Sequence, residues 1–187
     1  MPPRGRQSRT TAAPLKFDKR LVLNQWLLSL FEVSSIDEFY GIMRDASEGY
    51  DENNVSRFYH RITERLFERT ALDNDLLLAY DENIYRHTLA IAGKREPAVS
   101  WKYFQYLSLL LTEIYLDRYF SDPQALLDAL NEHVAAFNTD KPARDQVQAY
   151  KLTDLNKLAF WNATGSGKTL LMHVNILQYR HYLEKHG

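Results

Sequence analysis

Apolar residues recur at helical spacing along most of the chain. Leu23, Trp26, Leu27, Leu30 and Phe31 form a first stripe, its steps of three and four placing the side chains on one face of a helix. Ser35 with Glu38 is a capping-box pattern and opens a second helix through Phe39, Ile42 and Met43. Val55, Phe58, Tyr59, Ile62 and Leu66 mark a third stripe. Leu77, Ile84, Thr88 and Ile91 mark a fourth, closed by Gly93 and Pro97. Ser100 is placed to open a helix over Trp101–Phe120. That segment is apolar around nearly its whole circumference, which predicts the central helix of a bundle. Ser121 with Gln124 suggests another cap, with Pro123 tolerated in the first turn. Leu126, Ala129, Leu130, Val134 and Phe137 follow as a sixth stripe.

The pattern changes near Asn138. Residues 139–156 lack an apolar period and read as a connector. Lys157–Trp161 is an apolar run of strand length, and Thr169–Glu184 regains a helical period at Leu170, Leu171, Val174, Leu177 and Leu183. The expected organisation is a tail over 1–16, a helical domain over 17–138, the connector, and from 157 a strand–loop–helix unit. The fold class is therefore mainly α, an N-terminal helical bundle followed by a short α/β beginning.

Composition refines this. Hydrophobic residues make up 45% and aromatics 13% of the chain, enough for a packed core, and a net charge of −1 gives no overall attraction to nucleic acid or anionic membrane. The chain has no cysteine, which excludes disulfides and thiolate metal sites and fits a cytoplasmic protein. Arg4, Arg6 and Arg9 make the N-terminus a flexible basic tail or, alternatively, a phosphate-contacting arm. No signal-like apolar stretch follows it. The most apolar segment is broken by Glu113, Asp117 and Arg118 and suits a buried helix better than a membrane span.

The candidate chemistry lies between the expected strand and the last helix, at Ala163-Thr164-Gly165-Ser166-Gly167-Lys168-Thr169. Gly165 and Gly167 let the backbone curl around an anion without side-chain obstruction. Backbone N–H groups, including those of Thr164 and Ser166, then form a nest for phosphate oxygens. The following helix turns its positive end to the same anion. Lys168 supplies a full charge for the terminal phosphates, and Thr169 offers a hydroxyl to Mg²⁺. This is a P-loop, or Walker A, arrangement, with Asn162 where the general form has its leading glycine.

The loop resembles motif I of superfamily-two helicases, Ala-x-x-Gly-x-Gly-Lys-Thr, with Asn162 at its leading position and Ala163 next to it. Among them it looks most like the DEAD/DEAH-type helicases related to the motor subunits of type I and type III restriction enzymes. The surrounding KLAFWNATGSGKTLLMHVNILQYRHYLE and the upstream WKYFQYLSLLLTEIYLDRYF look like the same bacterial family. The resemblance implies a RecA-like motor lobe beginning at 157, ATP and Mg²⁺ as cofactors, duplex nucleic acid (DNA above all) as partner, and restriction or defence subunits as companions. It implies that Gly165, Gly167, Lys168 and Thr169 hold the phosphates and metal. Gln146 and Gln148 lie where such helicases carry an adenine-reading glutamine, and Tyr150 is placed to stack on adenine. No strand ending in Asp-Glu follows Thr169, so no catalytic residue for hydrolysis is assigned, and the chain reads as the N-terminal part of a helicase or translocase that is inactive by itself. The alternative is a non-enzymatic helical module that acts by binding a protein partner.

Other constellations carry blander readings. The six histidines show no ligand spacing, and His173 reads as a packing residue. Asp73-Asn74-Asp75 suggests a helix cap, and Asp81-Glu82-Asn83 a solvated helix face. The aromatics of 101–120 read as core. Arg57, Arg61, Arg65 and Arg69 form a basic stripe beside Glu64 and Glu68, a salt-bridged face or a phosphate-tracking one.

Overall fold

The computed structural model describes residues 15–66, 72–93 and 99–187. Most of the expected tail, together with Arg69 and Pro97, lies outside these residues. Among the described residues seven α-helices follow one another: α1 Val22–Ser29, α2 Ile36–Met43, α3 Arg57–Leu66, α4 Asn74–Ala92, α5 Tyr103–Ser121, α6 Pro123–Asn138 and α7 Lys168–His186. All six stripes of the N-terminal region become helices, and the mainly α expectation holds.

Helix starts follow side-chain chemistry, with shifts of one or two residues from the sequence pattern. Ser35 Oγ accepts from Glu38 N at 3.1 Å, while the Glu38 carboxylate turns back to the Ser34 N–H and hydroxyl at 2.8 and 2.7 Å. Asp73 caps α4 by accepting from the N–H groups of Asp75 and Leu76. Asp122, rather than Ser121, caps α6, accepting from Ala125 N at 2.9 Å with Pro123 in the first turn. A carboxylate is the stronger acceptor at a positive helix end, and Ser121 is taken up as the last residue of α5. Helix α5 opens at Tyr103, later than Ser100, because the side chain of Gln105 accepts from Lys102 N at 2.9 Å. Ser100 instead reaches Glu48 at 3.3 Å.

Helix α5 is the axis of the molecule. Helices α2, α4, α6 and α7 all pack on it, and Tyr106, Leu107, Leu109, Leu110, Ile114, Tyr115 and Leu116 are buried along its length. Trp101 is buried as well, its indole N–H donating to Thr88 Oγ1 at 2.8 Å. Of the aromatics of this segment, Trp101, Tyr106 and Tyr115 are core, and Tyr103, Tyr119 and Phe120 pack half-buried against it, as their spacing suggested; Phe104 is outside that cluster. Asp81, by contrast, is completely buried and not part of a solvated face. Its carboxylate accepts from Ser56 N at 2.8 Å and from the Tyr106 hydroxyl at 2.5 Å, so it fixes the start of α3 against α5. Burial raises its pKa to about 6, against the lowering effect of those two bonds.

The connector is tied down by α6. The side-chain amide of Asn138 makes both bonds to the backbone of Val147, at 2.8 and 2.9 Å, and that of Asn131 does the same at Tyr150, at 3.1 and 2.7 Å. Farther along, the Tyr115 hydroxyl donates to Leu155 O at 2.6 Å. The chain is thereby led along the bundle to the loop at 163–169.

No strand forms over Lys157–Trp161. A strand needs a neighbouring edge for its backbone groups, and the β pairing among the described residues is confined to an isolated bridge between Tyr50 and Ser56. Of the expected strand–loop–helix unit, the loop and helix are present and the strand is not. Helix α7 lies against α5 and α4, burying Leu171, Val174, Gln178 and Tyr182. Gln178 Nε2 donates to Leu109 O at 3.0 Å, and the Tyr182 hydroxyl donates to Glu113 at 2.6 Å.

Candidate nucleotide-phosphate site

The loop has the backbone its glycines suggest. Gly165 and Gly167 lie at φ 79° and 81°, in the left-handed region that favours glycine. Between them Ser166 N donates to Ala163 O at 3.2 Å, closing a tight turn. Helix α7 starts directly at Lys168, with Gly167 as an N-cap that has no side chain to offer. The first N–H groups of a helix have no intrahelical acceptor. Among the described residues no side chain caps them, and an anion is a natural complement.

Lys168 is exposed and folds back over the loop, donating from Nζ to Asn162 O at 3.1 Å. Its charge therefore stands across the mouth of the turn. A bound phosphate would take this ammonium from a neutral carbonyl, a favourable exchange because a charge-assisted bond is stronger. The exposed Thr169 stands beside it. Both line an open cleft of ≈ 560 Å³ together with Phe160, Asn162, Leu171, Met172, Asn175, Ile176 and Tyr179. Thr169 presents a hard oxygen of the kind Mg²⁺ accepts. No group of three or more His, Cys, Asp or Glu side chains that could hold a metal exists among the described residues, so Mg²⁺ here would take most of its other ligands from phosphate and water.

Of the expected phosphate-site residues, Lys168 and Thr169 line the cleft, while Thr164, Gly165, Ser166 and Gly167 form the turn that precedes it. Gln146, Gln148 and Tyr150 lie on the connector and are not among the residues lining the cleft. The Gln146 amide donates to Lys141 O at 3.0 Å, Gln148 is exposed, and the half-buried Tyr150 packs against the hydrophobic core. His173, expected to pack, is exposed on α7, because the helix turns Leu171 and Val174 toward the bundle instead.

Two features escaped the sequence pattern. Gln105, in the first turn of α5, donates from Nε2 to Ser166 O at 2.8 Å and so touches the phosphate loop. No local signal marks it. Behind the loop helix lies a polar seam. Glu113 is fully buried, accepting from Tyr182 and from Asn83 Nδ2 at 3.3 Å, and burial pushes its pKa up to about 7. His87 is buried beside Arg86 and His181, and burial first, then those two neighbours, lower its pKa to about 4. Asp117 accepts from the Tyr80 hydroxyl at 2.9 Å and pairs with Lys185 at 3.1 Å. The signal for Glu113 was present: a carboxylate inside a helix apolar on all sides must find partners.

No family model matches the chain, and neither a curated protein nor a solved structure matches it. Among the described residues no helix is long and apolar enough to cross a membrane.

Proposed function

We propose that the chain binds Mg-ATP through residues 163–169, as the N-terminal part of an ATP-driven helicase or translocase of duplex DNA. The observation that carries the nucleotide reading is the loop itself: two glycines at positive φ lead into an uncapped helix start, with Lys168 across the mouth and Thr169 at its side. The backbone N–H groups and helix end would hold the phosphates, Lys168 would neutralise the outer ones, and Thr169 would meet the metal. The motor reading, a RecA-like continuation, a cytoplasmic setting and restriction or defence subunits as companions rest on the resemblance of motif I. Of these, only the continuation into a layered lobe has support in the fold, from the outer face of α7, where Met172, Ile176, Tyr179 and Leu183 remain exposed, the first three lining a cleft with Phe160. A helix apolar on both sides suits a place between two layers, as in βα architecture.

The same exposed stripe favours the second reading, a helical module that binds a protein partner. Calorimetric titration separates them. Mg-ATP should bind the full chain, and Lys168→Ala should weaken binding at least tenfold, as expected when a charged partner of phosphate is removed. Equal affinity in the two proteins would sink the phosphate assignment and leave the partner-binding module.

A further inference from the structure

Gln105 is the point at which the helical bundle touches the phosphate loop. Its side-chain amide is used at both ends. Oε1 accepts from Lys102 N at 2.9 Å, at the start of its own helix, and Nε2 donates to Ser166 O at 2.8 Å. Lys102 is in turn held by Glu48 at 2.6 Å. The contact with the loop is close: a Cβ placed on Gly167 would stand 2.6 Å from Gln105 Nε2.

The peptide plane converts this bond into an orientation of the loop. In a trans peptide the carbonyl and the following N–H point in opposite directions. Pinning Ser166 C=O toward α5 therefore turns the N–H of Gly167 away from Gln105. Gly165 is free of such a neighbour, with nothing within 4 Å of a Cβ placed there. One of the two glycines is thus held from outside and the other is not.

We infer that Gln105 is a positioning residue for the phosphate site, presetting the Ser166–Gly167 peptide so that its N–H faces the anion and linking the bundle to nucleotide binding. The inference rests on the phosphate reading of the loop. Gln105 itself touches no phosphate. Preorganised N–H groups bind more tightly than groups that must first turn, so losing the brace weakens the phosphate contacts while leaving the contacts themselves intact.

Two variants of the full chain isolate the donor. Gln105→Glu keeps an acceptor for Lys102 N and loses the N–H. Gln105→Met loses the N–H and adds no charge. Affinities for Mg-ATP and for Mg-pyrophosphate are measured by calorimetry, and melting temperatures without ligand are compared. Both variants are expected to bind each ligand about fivefold more weakly, by a common factor, as for one neutral hydrogen bond, with the free protein still folded and melting only slightly lower, more so for Gln105→Met, which also loses the bond to Lys102 N. Weakening by Glu alone would mean charge repulsion, weakening by Met alone would mean loss of the helix start, and either overturns the positioning role. Unchanged affinities in both overturn it while leaving the phosphate site standing. Failure of the unaltered chain to bind either ligand removes the phosphate reading and the inference with it.

Discussion

Glu113 carries more of the protein's pH response than its position in an apolar helix suggests. Asn83 and Arg86 of α4 and Gln178 and Tyr182 of α7 face it, and burial outweighs their lowering influence. Its carboxyl is raised from 4.5 to about 7 on folding, so the unfolded chain loses this proton first. Stability from this group is full below about pH 4.5 and falls as pH rises through 7. Asp81, raised from 3.8 to about 6, adds in the same direction at lower pH. His87 opposes them: lowered from 6.5 to about 4, it removes stability as pH falls through that window. Glu113→Gln should therefore be more stable than the unaltered protein at pH 8, by up to about 3 kcal/mol at 1.36 kcal/mol per pKa unit. The advantage should shrink to nothing or reverse at pH 5. Urea unfolding at the two pH values measures it, and an advantage independent of pH would place the cause outside this titration.

Among the elements, α6 and α7 do the work of bringing the loop to its place. Helix α6 uses Asn131 and Asn138, two turns apart, to hold the connector backbone at Tyr150 and Val147 with paired bonds. An amide is the right side chain, since it donates and accepts at once as a peptide does. Asn131→Ala should speed amide exchange at Tyr150, and Asn138→Ala at Val147, each with a stability loss of about 1–2 kcal/mol. Exchange that accelerates equally at both positions in either variant would show the connector to release as one piece. Helix α7 has two unlike faces. One buries Leu171, Val174, Gln178 and Tyr182 against the bundle, and the other leaves Met172, Ile176, Tyr179 and Leu183 exposed.

Across the whole molecule, helix α7 shares one core with the bundle, while the glycine loop before it stays at the surface. The buried cluster runs from Trp26 and Phe39 through Ile114 to Leu171, Val174 and Tyr182. A continuous core of this kind is expected to unfold cooperatively. Hydrogen exchange of the slowest amides in α5 and α7 should then report the same opening free energy, within about 1 kcal/mol. A markedly lower value for α7 would make the loop helix an appendage that opens by itself.

The division between sequence and tertiary structure follows from range. Apolar spacing, cap residues and the paired glycines act within a few residues, so six helices, the last helix and the bent loop were legible along the chain. The glycine loop is the clearest case: the positive φ of Gly165 and Gly167 is a property of those residues and their neighbours. What the pattern left open depends on partners far away in the chain. Asp81 could be placed on a wet face because its pairing with Ser56 and Tyr106 spans 25 residues in each direction. The strand expected over Lys157–Trp161 has apolar residues of strand length and lacks an edge to pair with, which no local pattern can supply. The bond from Gln105 to Ser166 crosses 61 residues, and those from α7 to Leu109 and Glu113 cross 69. The sequence by itself determined a bundle of helices and a glycine-bent loop leading into the last of them. Only the packing of α7 on α5 decided which side chain holds that loop and which buried acid lies behind it, because side chains meet across a core by geometry that spacing along the chain does not encode.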